Sequence, residues 1–291
     1  MHKTKKKITK AVIALAGFGT RFLPATKVQP KEMLPIIDKP IIQYIVEELI
    51  ESGIEDIIMV TRGQYTLESH FDNNIALETF LEKNKKTEIL RELEKLPQKA
   101  NYIYVRQKKH LPYGNGTPLL VAKNLIKDEE SFVYVFGDDL VKSKIPATRQ
   151  LIDYYYKNPS KIIIATQKVQ RKDISKYGIV ELGENKKTVK NIIEKPNLGD
   201  TPSTLATFGR FILNRSVIDE LQKKKVGKDN ELWLMDAIST LSKQKKVISL
   251  EVEGKWLTTG DPLNFIITTL EYAKDRKDLI KGIKNYINNI L

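Results

Sequence analysis

The sequence predicts an α/β protein of one domain, with a parallel central sheet and helices on both faces. Short apolar runs of strand length alternate with longer amphipathic segments through the first half of the chain, which is the pattern of such a sheet. The second half holds more strand, so we expect the whole sheet to be mixed but mainly parallel. With 291 residues, 41% of them hydrophobic, the chain can bury one large core. No segment has the length or composition of a linker between two domains.

The first strand and the first helix have the clearest signals. The run KAVIALAG is continuously apolar and ends at Gly17, as in a strand that is buried on both faces. The segment DKPIIQYIVEELIESG predicts a helix, because Asp38 is a capping residue, Pro40 lies near the first turn and Gly53 closes the last one. Its apolar residues recur three and four apart and predict one buried stripe: Ile41, Ile42, Ile45, Val46 and Leu49.

The alternation continues along the chain. Further strands are predicted at EDIIMVTR, NYIYVRQ, SFVYVFGDD and KIIIATQKV, and helices at residues 67–96, TPLLVAKNLI and RQLIDYYYKN. The stretch GIVELGENKKTVKNIIEKP predicts two strands around a turn, and ISLEVEGKWLTTGD is also rich in strand. Helices are predicted between them at RSVIDELQKKK and ELWLMDAISTLSKQ. The chain ends in helix, which Asp261 and Pro262 begin.

The composition excludes several kinds of chemistry. There is no cysteine, so thiol catalysis, disulfides and thiolate metal sites are excluded. The three histidines, His2, His70 and His110, are too scattered to form a zinc cluster. No segment has the ~18–20 unbroken apolar residues of a membrane helix. The basic and then apolar N-terminus favours a buried first strand over a signal peptide, because Gly17 and a further basic segment follow it. We therefore expect a cytoplasmic enzyme that contacts no membrane.

The net charge of +13 has two interpretations. One is a polyanionic partner such as nucleic acid, and the other is a lysine-rich exposed surface. The lysine runs at 3–7, 82–86 and 222–228 contain no interleaved aromatic residues and do not fall on one helical face. This favours the exposed surface, and no nucleic-acid partner is expected.

A glycine-rich, basic loop follows the first strand: AGFGTRFLPATKVQPKEMLP, residues 16–35. Glycines after a buried strand allow backbone N–H groups to wrap around an anion. A Walker loop would need lysine and then serine or threonine after its second glycine, whereas Gly19 precedes Thr-Arg. A dinucleotide fingerprint would need a third glycine where Phe22 stands. What remains is a phosphate-binding loop in which Arg21 and Lys31 supply positive charge.

Two adjacent carboxylates, Asp138 and Asp139, end a buried strand at FGDD. Carboxylates at the carboxyl end of a central parallel strand lie where such sheets bind ligands. Magnesium on a nucleotide takes one or two carboxylates together with phosphate oxygens. Helix capping or an ordinary turn explains the same pair, and spacing alone leaves both alternatives open.

Other polar residues and glycines have equally plain alternatives. The segment EKP contains Glu194 and Lys195, which are either a substrate-binding pair or an ordinary charge pair at a strand end. Gln107 reads as a polar strand end, and Gly114 and Gly116 as a simple turn. Taken singly, none of these residues identifies a function.

Together, these residues closely resemble the sugar-1-phosphate nucleotidyltransferases. The matching segments are GFGTRFLPATKVQPKEMLP, VRQ followed by GNGTP, FGDDL, SKYGIV, IIEKP, LATFGRFIL and MDAI, in the family's order from about residue 10 to 272. The resemblance implies one Rossmann-like domain over residues 1–291. Within it, the nucleotide-binding part would span about 8–140, a small β-rich part that binds the sugar phosphate about 141–262, and C-terminal helices 262–291.

The resemblance also implies roles for individual residues. The nucleotide would be bound by Ala16, Gly17, Gly19, Thr20, Gln107, Gly114 and Gly116, with Gln107 reading the uracil edge. The sugar phosphate would be bound by Gly178, Glu194 and Lys195. The residues that neutralise charge during catalysis would be Arg21, Lys31 and Lys195. The aspartate that holds Mg²⁺ would be Asp138.

The activity implied is the transfer of a uridylyl group from UTP to glucose 1-phosphate, with release of pyrophosphate and no protein nucleophile. The chain departs from the family's pattern at Thr258, where an acidic residue is usual, in a longer loop at 108–113, and in the strand segment IALAG. Two alternatives therefore stay open: transfer of a thymidylyl group instead, and a relative that binds the substrates but has lost catalysis. The resemblance further implies a homo-oligomer, either a dimer or a tetramer.

Overall fold

The fold is taken from a computed structural model that describes residues 7–63, 65–159, 161–223, 226–227 and 230–290. The lysine runs at 3–7 and 222–228 and the helix expected over 215–225 lie partly outside the described residues. A mixed nine-stranded sheet carries helices on both faces, which confirms the predicted α/β fold class.

One half of the sheet is parallel. Strand β1 (Lys10–Ala14) lies between β6 (Ser131–Phe136) and β4 (Asp56–Thr61), and β5 (Asn101–Arg106) forms the edge next to β4. All three pairings are parallel. The carboxyl ends of these strands therefore share one edge of the sheet, where doubly wound sheets bind ligands.

The other half is organised around one long strand, β11 (Leu205–Asn214), to which no strand had been assigned from the sequence. It runs antiparallel to β6, to β8 (Ile162–Lys168) and to β9 (Gly178–Leu182). Strand β9 forms the predicted two-stranded turn with β10 (Val189–Glu194), and β12 (Val247–Glu251) lies parallel beside β8. The sheet thus changes from parallel to antiparallel pairing at β6.

Two small sheets lie outside the main one. Strand β7 (Asp139–Lys142) pairs antiparallel with β13 (Lys255–Thr258), and β2 (Pro35–Ile36) pairs with β3 (Lys39–Pro40). The first of these places the chain around Thr258 directly beside Asp138 and Asp139, although more than a hundred residues separate them in sequence.

The helices fill the connections between strands. They are α1 (Ile41–Glu51), α2 (Tyr65–His70), α3 (Ile75–Lys83), α4 (Thr87–Gln98), α5 (Thr117–Ala122), α6 (Ala147–Lys157), α7 (Arg215–Lys223), α8 (Leu234–Ser242), α9 (Pro262–Ala273) and α10 (Lys277–Ile290). The region 67–96, predicted to be helical, holds parts of three helices, α2, α3 and α4. Asp261 caps α9 as predicted, since its side chain accepts a hydrogen bond from the Asn264 N–H.

The predicted cap of α1 is wrong. Pro40 occupies the N-cap position without a side-chain hydrogen bond, because residues 39–40 are held in the short strand β3. Asp38 instead accepts a hydrogen bond from Arg276 at 2.6 Å. The predicted apolar stripe of α1 is confirmed, since all five of its residues are buried.

The core has two layers, one on each face of the sheet. Ala11 and Ile13 of β1 face the layer that contains α1 and α6, and Val12 faces the layer that contains α5, α7 and α8. Because both faces are covered, β1 is apolar at every position after Lys10, which is why its sequence is a continuous run and does not alternate.

A buried ion pair fixes β11 against α1. The fully buried Arg210 guanidinium donates to both Glu48 carboxylate oxygens, at 2.9 and 2.8 Å. Thr148 donates two further hydrogen bonds to Glu48 Oε1. Burial opposes ionisation of Glu48, but Arg210 holds the pKa of that carboxyl below its usual value. Such a bidentate pair has a defined geometry, so it sets the position of β11 at the edge where Asp138 and Asp139 lie.

Candidate active site

The glycine loop adopts a conformation that requires glycine at one position. Gly19 has φ of +63°, and a Cβ there would lie 3.2 Å from the Thr26 side chain and 3.3 Å from Lys31 Cβ. The Thr26 hydroxyl donates to the Gly19 carbonyl oxygen at 2.8 Å. The loop is therefore folded back on itself and brings Lys31 next to its first turn.

Lys31 lies between two carboxylates. Its ammonium donates a hydrogen bond to Asp138, and Glu32 Oε1 lies 4.0 Å from Lys31 Nζ. Burial alone would lower the pKa of Lys31, but the Asp138 and Glu32 carboxylates raise it above its usual value. Burial also opposes ionisation of Asp138, while Lys31 holds the pKa of that carboxyl below its usual range. In the ligand-free protein, Lys31 and Asp138 are therefore both charged and neutralise each other.

Glu32 behaves differently from Asp138. It is only 2% exposed, and burial raises its pKa to about 7 although Lys31 opposes the rise. Its Oε2 atom is buried without a hydrogen-bond partner, and so is Oε1 of Gln107. Both residues line the same cleft. A buried polar atom without a partner costs free energy, so Gln107 Oε1 is available to a donor on a ligand, and Glu32 Oε2 to a donor or, when the carboxyl is protonated, to an acceptor.

The second glycine segment, 114–116, packs against its own chain. Gly114 has φ of +122°, and a Cβ there would lie 2.4 Å from the Leu232 carbonyl oxygen. The Gly116 N–H donates to that oxygen at 2.9 Å, and the Leu232 N–H donates to the Tyr113 carbonyl at 2.7 Å. The glycines thus permit close contact between this loop and the segment before α8.

An aromatic and cationic cluster joins the two glycine loops. The rings of Phe18 and Tyr113 are stacked with their centroids 5.7 Å apart, and the Arg62 guanidinium lies 3.8 Å from the centre of the Phe18 ring. Arg62 Nε also donates to the Ala16 carbonyl at 2.7 Å. The sequence alone singled out none of these three side chains.

Two clefts meet at Asp138. The first, of about 230 Å³, is lined by Ala16, Gly17, Lys31, Gln107 and Gly114 of the predicted nucleotide-side residues. The second, of about 570 Å³, is lined by Arg21, Gly178, Glu194, Lys195 and Thr258. Four residues line both clefts: Asn115, Phe136, Asp138 and Trp233. Gly19, Thr20 and Gly116 belong to the loops that form the walls but are not among the lining residues.

The second cleft combines an acid, a lysine and a glycine. A Cβ on Gly178 would lie 3.0 Å from Glu194 Oε2, so only glycine leaves that carboxylate room. Burial raises the pKa of Glu194. Lys195 has φ of +46°, and its N–H donates to the Tyr177 carbonyl at 3.0 Å. A left-handed backbone is uncommon for a residue with a side chain, and such strain often accompanies a functional position.

Arg21 and Thr258 flank Asp138. Arg21 Nη1 donates to the Gly260 carbonyl at 3.1 Å, which places Arg21 in the second cleft. A Cβ on Gly260 would lie 3.4 Å from both Asp138 Oδ2 and Thr258 Oγ1, so these two oxygens flank the same space. Asp139 faces inward, accepting hydrogen bonds from the Gly209 N–H and from Trp256 Nε1. Burial and the neighbouring Asp138 raise the pKa of Asp139 to about 6.

The donor set is compatible with a divalent cation that is shared with a phosphate-bearing ligand. Within the described part of the chain, no three Asp, Glu or His side chains form a metal-binding cluster. Mg²⁺ commonly takes only one or two protein carboxylates and completes its shell with water and phosphate oxygens. Asp138, at the junction of the clefts with the Thr258 hydroxyl beside it, meets that requirement.

A doubly wound sheet with two adjoining clefts, one of them lined by glycines and Lys31, is an arrangement suited to holding a nucleotide beside a second substrate. The profile of the Nucleotidyl transferase family matches residues 10–275, and the chain belongs to that family. It is 43% identical over 290 residues to the UTP–glucose-1-phosphate uridylyltransferase of Bacillus subtilis (strain 168), covering 98% of each chain. It is 41% identical to the enzyme of the same name from Staphylococcus epidermidis (strain RP62A), covering 98% of this chain and 99% of that one.

Solved structures agree with these relatives. A UDP-glucose pyrophosphorylase complexed with UDP-glucose superposes with a TM-score of 0.82 at 37% identity, covering 92% of this chain and 99% of that one. A UTP-bound UGPase from Acinetobacter baumannii superposes with a TM-score of 0.85 at 33% identity, covering 98% of this chain and 100% of that one. The family recognised from the sequence motifs is therefore confirmed.

Proposed function

We propose that this chain transfers a uridylyl group from UTP to glucose 1-phosphate, giving UDP-glucose and pyrophosphate. The observation that carries the proposal is the meeting of two clefts at Asp138, one with nucleotide-side residues and one with a carboxylate and a lysine. The relatives named above, which match nearly the whole chain, carry the same activity in their names.

The nucleotide would occupy the smaller cleft. Gln107 Oε1, a buried acceptor without a partner, suits the N3–H donor of uracil. Glu32, whose Oε2 is also unpaired, offers a second polar contact to the nucleoside. The backbone around Gly17, Gly19 and Thr20 would wrap the triphosphate, and Gly114 and Gly116 would let the base approach the chain.

Glucose 1-phosphate would occupy the larger cleft. Glu194 can accept hydrogen bonds from two neighbouring sugar hydroxyls, and Gly178 leaves its carboxylate accessible. Lys195 would bind the phosphate. The nucleotide-binding part would then be about 8–140 and the sugar-phosphate part about 141–262, with 262–291 forming the C-terminal helices.

The reaction is attack by a phosphate oxygen of glucose 1-phosphate on the α-phosphorus of UTP. The P–O bond to the β-phosphate breaks and pyrophosphate leaves with its electron pair. The protein contributes alignment and charge neutralisation, with Lys31, Arg21 and Lys195 as the cations. Asp138 would hold Mg²⁺, which supplies further positive charge to the phosphates when bound. Lys31 would then exchange part of its contact with Asp138 for a phosphate oxygen.

Two observations support alternatives to the proposed uridylyl transfer. Gln107 accepts from N3–H, which thymine shares with uracil, so a thymidylyltransferase is the alternative within the family. Thr258 stands where an acid is usual, which favours the alternative that this chain binds both substrates without turnover.

We also propose that the chain forms a homo-oligomer, a dimer or a tetramer, to be tested by light scattering. It is supported by four exposed apolar side chains on α9: Leu263, Ile266, Ile267 and Leu270.

The deciding experiment measures pyrophosphate release with UTP, dTTP, ATP and GTP, each with glucose 1-phosphate and with galactose 1-phosphate. The proposal expects the highest kcat/KM for UTP with glucose 1-phosphate. An equal or higher value for dTTP would replace the uridylyl assignment by the thymidylyl one. Binding of UTP without pyrophosphate release at any magnesium concentration would support the binding-only relative.

A further inference from the structure

Trp233 lies between the two clefts and lines both of them. The ammonium of Lys195, which belongs to the larger cleft, lies 4.7 Å from the centre of the Trp233 ring. This is within the range of a cation–π contact, for which tryptophan offers the most favourable ring. Trp233 thus touches the proposed phosphate-binding lysine from the side of the nucleotide.

The backbone on either side of Trp233 is attached to the nucleotide-side loop. Leu232 exchanges hydrogen bonds with that loop, donating to the Tyr113 carbonyl at 2.7 Å and accepting from the Gly116 N–H at 2.9 Å. The Leu234 N–H, the first of α8, donates to the Asn115 side chain at 2.8 Å. The position of the ring is therefore set by residues 113–116, which the proposed function assigns to the nucleotide.

Lys195 also has acids within its electrostatic reach. Glu194 precedes it in sequence. Glu231 and Asp236 lie close enough for their negative charges to raise the pKa of the Glu194 carboxyl. If Lys195 paired with one of these carboxylates, its charge would be neutralised before substrate arrived. A ring face attracts an ammonium but carries no net charge, so the contact with Trp233 places the lysine without neutralising it, while Lys195 also interacts with the Glu194 carboxylate.

We propose that Trp233 is a positioning residue that holds the Lys195 ammonium at the junction of the clefts, ready for the phosphate of a sugar 1-phosphate. It also connects the placement of that ammonium to the nucleotide-side loop 113–116. The inference rests on the proposed function for the identity of the substrate. The phosphate group itself is the chemistry that Lys195 and Trp233 recognise.

The test compares Trp233→Leu and Trp233→Phe with the wild type, using Tyr286→Leu as a control for the loss of an aromatic side chain, since Tyr286 is exposed on α10. KM for glucose 1-phosphate, KM for UTP and kcat are measured separately. Trp233→Leu is expected to raise KM for glucose 1-phosphate by roughly 2- to 30-fold, the range of a cation–π contact from an exposed to a dry site. KM for UTP changes much less, Trp233→Phe gives a smaller rise, and Tyr286→Leu matches the wild type.

A double-mutant cycle with Lys195→Met separates positioning from a structural role. If Trp233 acts through Lys195, then Trp233→Leu causes no further rise in the Lys195→Met background. An equal additional rise in both backgrounds, or equal losses for both substrates, overturns the inference. Should Trp233→Leu fail to fold, as circular dichroism would reveal, the same cycle with Trp233→Phe decides the question.

Failure of this inference is distinguishable from failure of the proposed function. Binding of glucose 1-phosphate is also measured by calorimetry without nucleotide. A wild type that shows no turnover, yet binds glucose 1-phosphate more tightly than Trp233→Leu, contradicts the function and supports the role of Trp233. Normal turnover with unchanged binding in both Trp233 variants contradicts the role of Trp233 and leaves the function intact.

Discussion

Replacing Glu32 by glutamine should change how the stability of the protein depends on pH. Glu32 is buried beside Lys31, and its Oε2 atom has no hydrogen-bond partner. Burial raises its pKa to about 7, from an ordinary value of 4.5. Between these two pH values the folded state keeps a proton on Glu32 that the unfolded state has lost. The free energy of unfolding therefore falls as pH rises through this window.

The size of the effect follows from the two pKa values. Near pH 5 the folded protein is almost fully protonated at Glu32, and near pH 8 it is almost fully ionised. Integrating the difference in bound protons gives a loss of about 2.5 kcal/mol in the free energy of unfolding between these pH values. Because Glu32 is nearly inaccessible to water, solvent screening does not reduce this figure. Glutamine has the same shape and does not titrate, so the Glu32→Gln variant lacks this loss.

The assay is urea denaturation of wild type and Glu32→Gln at about pH 5 and about pH 8. The variant is expected to gain about 2.5 kcal/mol relative to the wild type between the two conditions. Asp139, whose pKa is raised to about 6, titrates in both proteins and cancels in the comparison. The exposed Glu88→Gln variant serves as the matched control. A difference between Glu32→Gln and wild type that stays constant from pH 5 to pH 8 would show that Glu32 is ionised throughout, and the reasoning would be refuted.

Three further predictions concern the reaction. Lys31→Ala is expected to lower kcat by about 100- to 1,000-fold, because a cation at the transferring phosphoryl group acts mainly in the transition state. The exposed neighbour variant Lys27→Ala should keep wild-type kcat, and near-normal turnover of Lys31→Ala would make Lys31 structural. Glu194→Gln should raise KM for glucose 1-phosphate far more than KM for UTP, since an amide offers one acceptor oxygen; equal losses would contradict a sugar contact. Thr258→Asp should lower the magnesium concentration needed for the half-maximal rate, with Asp138→Asn inactive, whereas turnover seen only in Thr258→Asp would mean that the natural chain is not catalytic.

Much of the fold could be predicted because most helices and strands have a clear local pattern of apolar residues. Strand β1 is continuously apolar after Lys10 because both of its faces are covered, and the predicted stripe of α1 matches its buried face residue by residue. Strand β11 escaped prediction although it is the longest strand of the sheet. Its segment LATFGRFILN contains Gly209 and a charged Arg210 in an otherwise apolar run. That arginine is buried only because Glu48 of α1 neutralises it, and a partner so distant in sequence gives no local signal.

The candidate site likewise combines residues that local motifs predict with residues that only the packing of distant segments reveals. The two glycine loops, Asp138 and the pair Glu194–Lys195 were predicted because motifs mark them, and they line the two clefts or form their walls. Glu32 was overlooked although it stands next to Lys31, because glutamate in a polar loop is ordinarily exposed. Trp233 was overlooked because it falls in the predicted helix ELWLMDAISTLSKQ, where an aromatic residue is ordinarily part of the core; the helix in fact begins at Leu234. Only the packing of distant segments shows that Glu32 is a buried acid with an unpaired oxygen and that Trp233 lines both clefts.

The position of Asp138 follows from strand order more than from its motif. Strand β6 is parallel to β1 on one side and antiparallel to β11 on the other. Its carboxyl end therefore adjoins the loop after β1, which carries Lys31, and also the first half of β11, beside which the hairpin ending in Glu194 is paired. A carboxylate two residues beyond that end, at Asp138, lies where both clefts can be reached. An acid moved back into the strand would point into one of the two apolar layers, where an unpaired charge is strongly disfavoured. The change from parallel to antiparallel pairing at β6 thus creates the junction of the two clefts, where the proposed function places the transfer of the uridylyl group.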